Sequence, residues 1–83
     1  MTHLDELRKK IDKVDIKLAK LLAERAEFTR KIGVYKRLKK IPVKSNRREQ
    51  EVLENVMHAA EEQREYVKEI FKKIMEEGVK LQK

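Results

Sequence analysis

The sequence predicts an all-α fold, and three observations predict it. Leu4, Leu7, Ile11, Val14, Leu18, Leu21, Arg25, Phe28, Ile32 and Tyr35 recur at alternating steps of three and four, the spacing of one helical seam. The chain has only two Gly and one Pro, so little interrupts a helix. No stretch alternates apolar and polar residues in the manner of a strand, and there is no internal repeat or low-complexity segment.

The first element is a helix from about residue 4 to 38, roughly 50 Å long at 1.5 Å per residue. A rod of that length cannot pack on itself. It ends in "KKIPVKSNRREQE", because Pro42 disfavours helical geometry at Ile41 and cannot continue the backbone ladder. Ser45 or Asn46 can cap the next helix, and Asn46 with Glu49 three residues on approximates a capping box. Val52, Leu53, Val56, Met57, Ala59 and Ala60 form its apolar set. A third set comprises Val67, Ile70, Phe71, Ile74, Met75, Val79 and Leu81. The intervening "EEQRE" is polar but has neither Gly nor Pro, so the residues leave open whether the helix breaks there.

At 83 residues the chain makes a single domain, 1–83, which buries only a modest fraction of its surface alone. Oligomerisation is expected. Charged residues at 45% and hydrophobic ones at 40%, with no Cys, argue against a disulfide or thiolate-metal scaffold and suit a reducing cytoplasm. No apolar run approaches the roughly 18 to 20 residues that span a bilayer, and "MTHLDELRKK" lacks the apolar core of a signal peptide. The net charge of +7 divides into +10 over residues 1–48 and −3 over residues 49–83. A basic half of this kind calls for an anionic partner, whether nucleic acid, a membrane surface or a small polyanion.

The common catalytic devices are missing. Thiol nucleophiles are excluded, His3 and His58 lie far apart without ligand-spaced carboxylates, and there is no Gly-rich phosphate loop. An enzyme of this composition works with no cofactor, no metal and no covalent intermediate. What remains is a set of long cationic side chains beside apolar stripes. Arg25, Thr29, Ile32 or Gly33, and Lys36 share one helix face. Arg25 and Lys36 stand about 16 Å apart along the axis, within convergence of two extended side chains on a small anion. Arg25 offers a planar fork for a carboxylate, and Gly33 is expected to leave room for a ligand between the cations. A lone polar residue in a seam equally serves to set register or oligomeric state.

Arg8 lies beside the same seam, roughly 25 Å from Arg25 along the rod, too far to share a small ligand on one chain. Two copies packed antiparallel, crossing near Leu18 to Leu21, bring Arg8 of one to the Arg25–Lys36 stretch of the other. A parallel pair would set Arg25 against its own copy, which is electrostatically unfavourable. A shared site in a dimer follows.

The run Leu7-Arg8-Lys9-Lys10-Ile11-Asp12, then Asp15, Leu18, Leu21-Leu22-Ala23-Glu24-Arg25, Gly33, Lys36, Pro42-Val43 and Arg47-Arg48-Glu49 resembles the all-helical chorismate mutases, and the C-terminal "IMEEGVKLQK" with Gln82 is similar to that family's closing helix. The resemblance covers nearly the whole chain. It implies a long N-terminal helix with two shorter ones, an intertwined antiparallel homodimer, and a substrate, chorismate, rearranged to prephenate in phenylalanine and tyrosine biosynthesis. Carried over by position, Arg25 and the partner chain's Arg8 each clamp a carboxylate, and Lys36 and Gln82 donate to the ether oxygen. Glu49 binds the hydroxyl, with Arg48 supporting that end. Ser45 stands where an Asp is familiar and Gly78 where a Ser is familiar, so direct carboxylate contact from the last helix is in doubt.

Two rival readings have distinct signatures. An isochorismate-pyruvate lyase on a similar fold also places cations around a dicarboxylate, and product identity separates it. A basic coiled-coil module binding nucleic acid or protein accounts for the +10 half but does not require Arg25 in the seam or Gln82. Phe28, Tyr35, Tyr66 and Phe71 sit mostly at core spacing, which argues against a base-stacking platform. The expectation is therefore of no nucleic-acid partner and no membrane.

Overall fold

Helix α1 (His3–Lys39) begins where Thr2 caps it, its hydroxyl accepting from the Asp5 amide at 3.1 Å while the Asp5 carboxylate accepts from the Thr2 amide at 3.4 Å. The computed structural model describes residues 2–83. The helix stops at Lys40, whose left-handed backbone (φ 57°, ψ 40°) turns the chain. The Ile41 amide then donates to the Lys36 carbonyl at 2.8 Å and the Lys40 amide to that of Arg37 at 3.3 Å, satisfying carbonyls that a helix end leaves open. Pro42 follows two residues later and prevents resumption.

Helix α2 (Asn46–Ala60) is capped by Ser45, which accepts from the Arg48 amide at 3.2 Å. Asn46 is already helical, so the Asn46–Glu49 capping box is not formed, and the Glu49 carboxylate instead faces Lys44 at 3.4 Å. The helix does break at "EEQRE". Glu61 adopts φ 55°, ψ −115°, and a short 3₁₀ turn (Glu61–Gln63) leads directly into α3 (Arg64–Gln82). Gly78 lies inside α3 without ending it.

α3 packs against both α1 and α2, while α1 and α2 do not pack on one another. Leu53 is the one buried large hydrophobe among the described residues, at 7% exposure. The N-terminal half of α1 projects from this core. Ile11, Val14, Leu18 and Leu21 are 49 to 61% exposed, although their spacing is that of a packed seam. Phe28, Tyr35 and Tyr66, also at core spacing, are exposed as well. The radius of gyration is 15.9 Å, against about 12 Å for a compact chain of this length. A single copy therefore leaves its principal apolar stripe in water.

Candidate active site

One cleft of about 440 Å³ lies where the C-terminal half of α1, the α1–α2 loop, the start of α2 and the end of α3 converge. Arg25 and Lys36 enter it from α1, Arg48 and Glu49 from the first turn of α2, and Gln82 from the last turn of α3. Five of the six residues selected from the sequence thus meet in one place. Arg8 does not. It sits on the projecting part of α1, seventeen positions before Arg25, and the helix between them is unbroken.

Each side chain is set by its element. Arg25 is half-buried, and its guanidinium carbon stands 6.0 Å from the centre of the Phe71 ring, so α3 supports it through the face of an aromatic. Thr29, one turn later, is buried, and its hydroxyl donates back to the Arg25 carbonyl at 2.9 Å, which keeps the cleft floor free of an unpaired hydroxyl. The Lys36 ammonium donates to the Val43 carbonyl at 2.6 Å. An ammonium carries three donors, so this bond orients Lys36 and leaves others for a ligand. Neither Arg25 nor Arg48 has a carboxylate within ion-pair reach among the described residues.

Three cations against one carboxylate leave two excess positive charges in the cleft, the complement of a dianion. Apolar side chains, among them Ile32, Val52, Met75 and Val79, form the rest of the wall. They suit an apolar body between the charged ends.

One position, Gly33, behaves differently from the sequence-based expectation. Gly33 does not open space for a ligand. It is buried, and a Cβ there would lie 2.7 Å from Gln82 Cα and 2.9 Å from the Gln82 carbonyl oxygen. The missing side chain admits the backbone of α3, because close approach of two helices requires it. Gly78 is buried too, but a Cβ there would meet Thr29 Cγ2 at 3.6 Å and Arg25 Nη1 at 3.8 Å, ordinary contacts. The site would accept a small side chain at that position.

Gln82 is held within the structure and is not a frayed end. Its Nε2 reaches the Gly78 carbonyl only at 3.5 Å, and its Oε1 is buried without a hydrogen-bond partner. An unsatisfied buried acceptor costs on the order of 1–3 kcal/mol. Sequence reasoning missed the Val43 carbonyl and the apolar wall. A backbone carbonyl in a loop carries no residue-type signal, and wall residues are indistinguishable from core residues by spacing. His3 and His58 are exposed and stand outside the cleft, and the described residues contain no cluster able to hold a metal. No helix of the described residues is long and apolar enough to cross a membrane.

The chain matches the family described as chorismate mutase type II over residues 7–83. Among curated proteins, a bifunctional chorismate mutase/prephenate dehydratase from Aquifex aeolicus is 37% identical over 62 residues, covering 75% of this chain and 17% of that protein. This chain thus spans less than a fifth of that relative's length. A solved structure of a conserved hypothetical protein from Pyrococcus furiosus is similar at a TM-score of 0.82 and 38% identity, covering 100% of this chain and 99% of that one. The matched region takes in α3 with Gln82, the α2 cap with Arg48 and Glu49, and nearly all of α1, and by it this chain belongs to the type II chorismate mutase family.

Proposed function

We propose that the protein rearranges chorismate to prephenate, acting as a cytoplasmic homodimer whose two sites each use both chains. The observation that carries this reading is the convergence of Arg25, Lys36, Arg48, Glu49 and Gln82 on one cleft with an excess of two positive charges. Chorismate offers two carboxylates, a hydroxyl and an ether oxygen on a compact ring. In the rearrangement one C–O bond breaks as one C–C bond forms within the molecule, and no proton or external nucleophile is needed. The protein's task is to hold the compact conformer and to match the charge that grows on the ether oxygen.

Arg25 fits a clamp on one carboxylate, since its fork is steadied by Phe71 and lacks an internal anion. Lys36, oriented by Val43, fits a donor to the ether oxygen, with the Gln82 amide as a second. Glu49 fits an acceptor for the substrate hydroxyl, and Arg48 supports that end. The remaining carboxylate falls to Arg8 of a second copy.

The exposed seam of α1 supports the dimer. Pairing it antiparallel with a second copy would remove Ile11, Val14, Leu18 and Leu21 from water, each worth about 1.5–3 kcal/mol when fully buried. A Cys-free, charge-rich composition suits the cytoplasm. The deciding experiment incubates purified protein with chorismate in the presence of a chelator and follows the product. Prephenate at a rate well above the uncatalysed one supports the reading; pyruvate release from isochorismate assigns the lyase reaction instead. Salt-sensitive retention of nucleic acid with no turnover of either substrate would overturn both.

A further inference from the structure

Arg37 follows Lys36 in sequence but lies outside the cleft. Its guanidinium Nη1 donates to the Gln82 carbonyl oxygen at 2.8 Å, a contact between residues 45 positions apart. That carbonyl belongs to the last residue of α3, where a helix leaves its final carbonyls without internal partners and carries the negative end of its dipole. A cationic donor there makes a charge-assisted bond, roughly twice as strong as a neutral one.

Gly33 sits one turn before Arg37 on the same face of α1, and it is the residue against which the Gln82 backbone rests. One residue of α3 is therefore seated by Gly33 and gripped by Arg37. Its side chain, by contrast, is poorly held: Nε2 reaches the Gly78 carbonyl only at 3.5 Å, and Oε1 has no hydrogen-bond partner. The backbone of Gln82 is thus more firmly held than its side-chain amide.

We infer that Arg37 is a positioning residue, which grips the Gln82 carbonyl and thereby holds the Gln82 amide where it meets the substrate. The inference rests on the role proposed for Gln82 in the rearrangement. A bond serving only to cap α3 would add stability without selective consequence for the chemical step, and the two roles separate experimentally.

Turnover of chorismate is measured for Arg37→Ala, Arg37→Lys, Gln82→Ala and the double variant Arg37→Ala/Gln82→Ala, together with the NMR signals of the Gln82 side-chain amide in ligand-free protein. Misplacement of a catalytic donor predicts that Arg37→Ala lowers kcat by about tenfold with KM within about twofold, and that Arg37→Lys recovers part of the loss. The double variant is expected to be no slower than Gln82→Ala alone, since Arg37 acts through Gln82. The Gln82 amide signals are expected to move in Arg37→Ala. Multiplying losses in the double variant, or unchanged Gln82 signals, would overturn the inference. If the unaltered protein turns over no chorismate, the proposed function fails, while the amide signals still decide whether Arg37 holds Gln82.

Discussion

Gly33 and Gln82 meet backbone to backbone, so closely that a Cβ on Gly33 would stand 2.7 Å from Gln82 Cα. This contact joins the C-terminal half of α1 to the last residue of α3. Alanine at position 33 gains up to about 1 kcal/mol of intrinsic helix propensity over glycine, but the obstructing atoms are backbone and cannot rotate away. Because Gln82 ends α3, the last turn can peel off at little cost to the rest. Gly33→Ala is therefore expected to change Tm by only a few degrees while lowering turnover by about tenfold or more. Thermal unfolding and kinetics on the same preparation test this, and unaltered turnover would contradict it.

Lys36 is tied to the α1–α2 loop by its 2.6 Å bond to Val43. Lys36→Ala is expected to cut turnover by about 10² or more, the scale for losing one preorganised donor to a developing oxyanion, with the fold and the proposed dimer intact. Methionine at this position retains the stem and removes the charge, so it should cost nearly as much. A Lys36→Ala protein with near-normal kcat would exclude the role proposed for it.

Arg8 and Arg25 are separated by an unbroken stretch of α1, yet substitution of either by Ala should damage the same reaction. In a mixed dimer of Arg8→Ala with Arg25→Ala, the proposed sharing leaves one site with both arginines and the other with neither. Recovery of activity towards half that of the unaltered protein, in heterodimers verified by mass, is the expected result. No recovery would mean that each chain completes its own site.

Two backbone positions carry strain unrelated to the chemistry. Lys40 (φ 57°, ψ 40°) lies in the left-handed region, and Glu61 (φ 55°, ψ −115°) in a region occupied mainly by glycine. Lys40→Gly is expected to stabilise by about 0.5–1 kcal/mol. Glu61→Gly should gain more, about 1–2 kcal/mol, because its conformation is the costlier for a side chain. Urea titration at fixed protein concentration measures both, and a loss of stability in either would show that the site gains more from its side chain than it loses in strain.

Lys73 bridges to Glu76 at 3.1 Å and Lys80 to Glu77 at 2.7 Å on the exposed surface of α3. The hydrogen bond and charge of Lys80 hold the Glu77 carboxyl below its ordinary range. Its contribution is present above the ordinary carboxylate pKa and is lost as pH falls through the depressed value. The pair is exposed and screened by salt, so it decorates α3 without determining the fold.

The sequence by itself determined the long helix, its end before Pro42, a cap at Ser45 or Asn46 and the residue types of the cleft. Those features follow from local rules: periodicity, ring geometry at proline, and short-range capping bonds. It also placed Arg25 and Lys36 on one face, because a single helix fixes the angle between its own residues. The break at Glu61 was not legible, since no Gly or Pro marks it and the turn is held by a strained Glu. Only the tertiary structure decided that Gly33 receives α3 instead of a ligand, that Val43 orients Lys36, and that Arg37 grips Gln82. These depend on how separate helices approach one another, a distance that no spacing along one chain encodes.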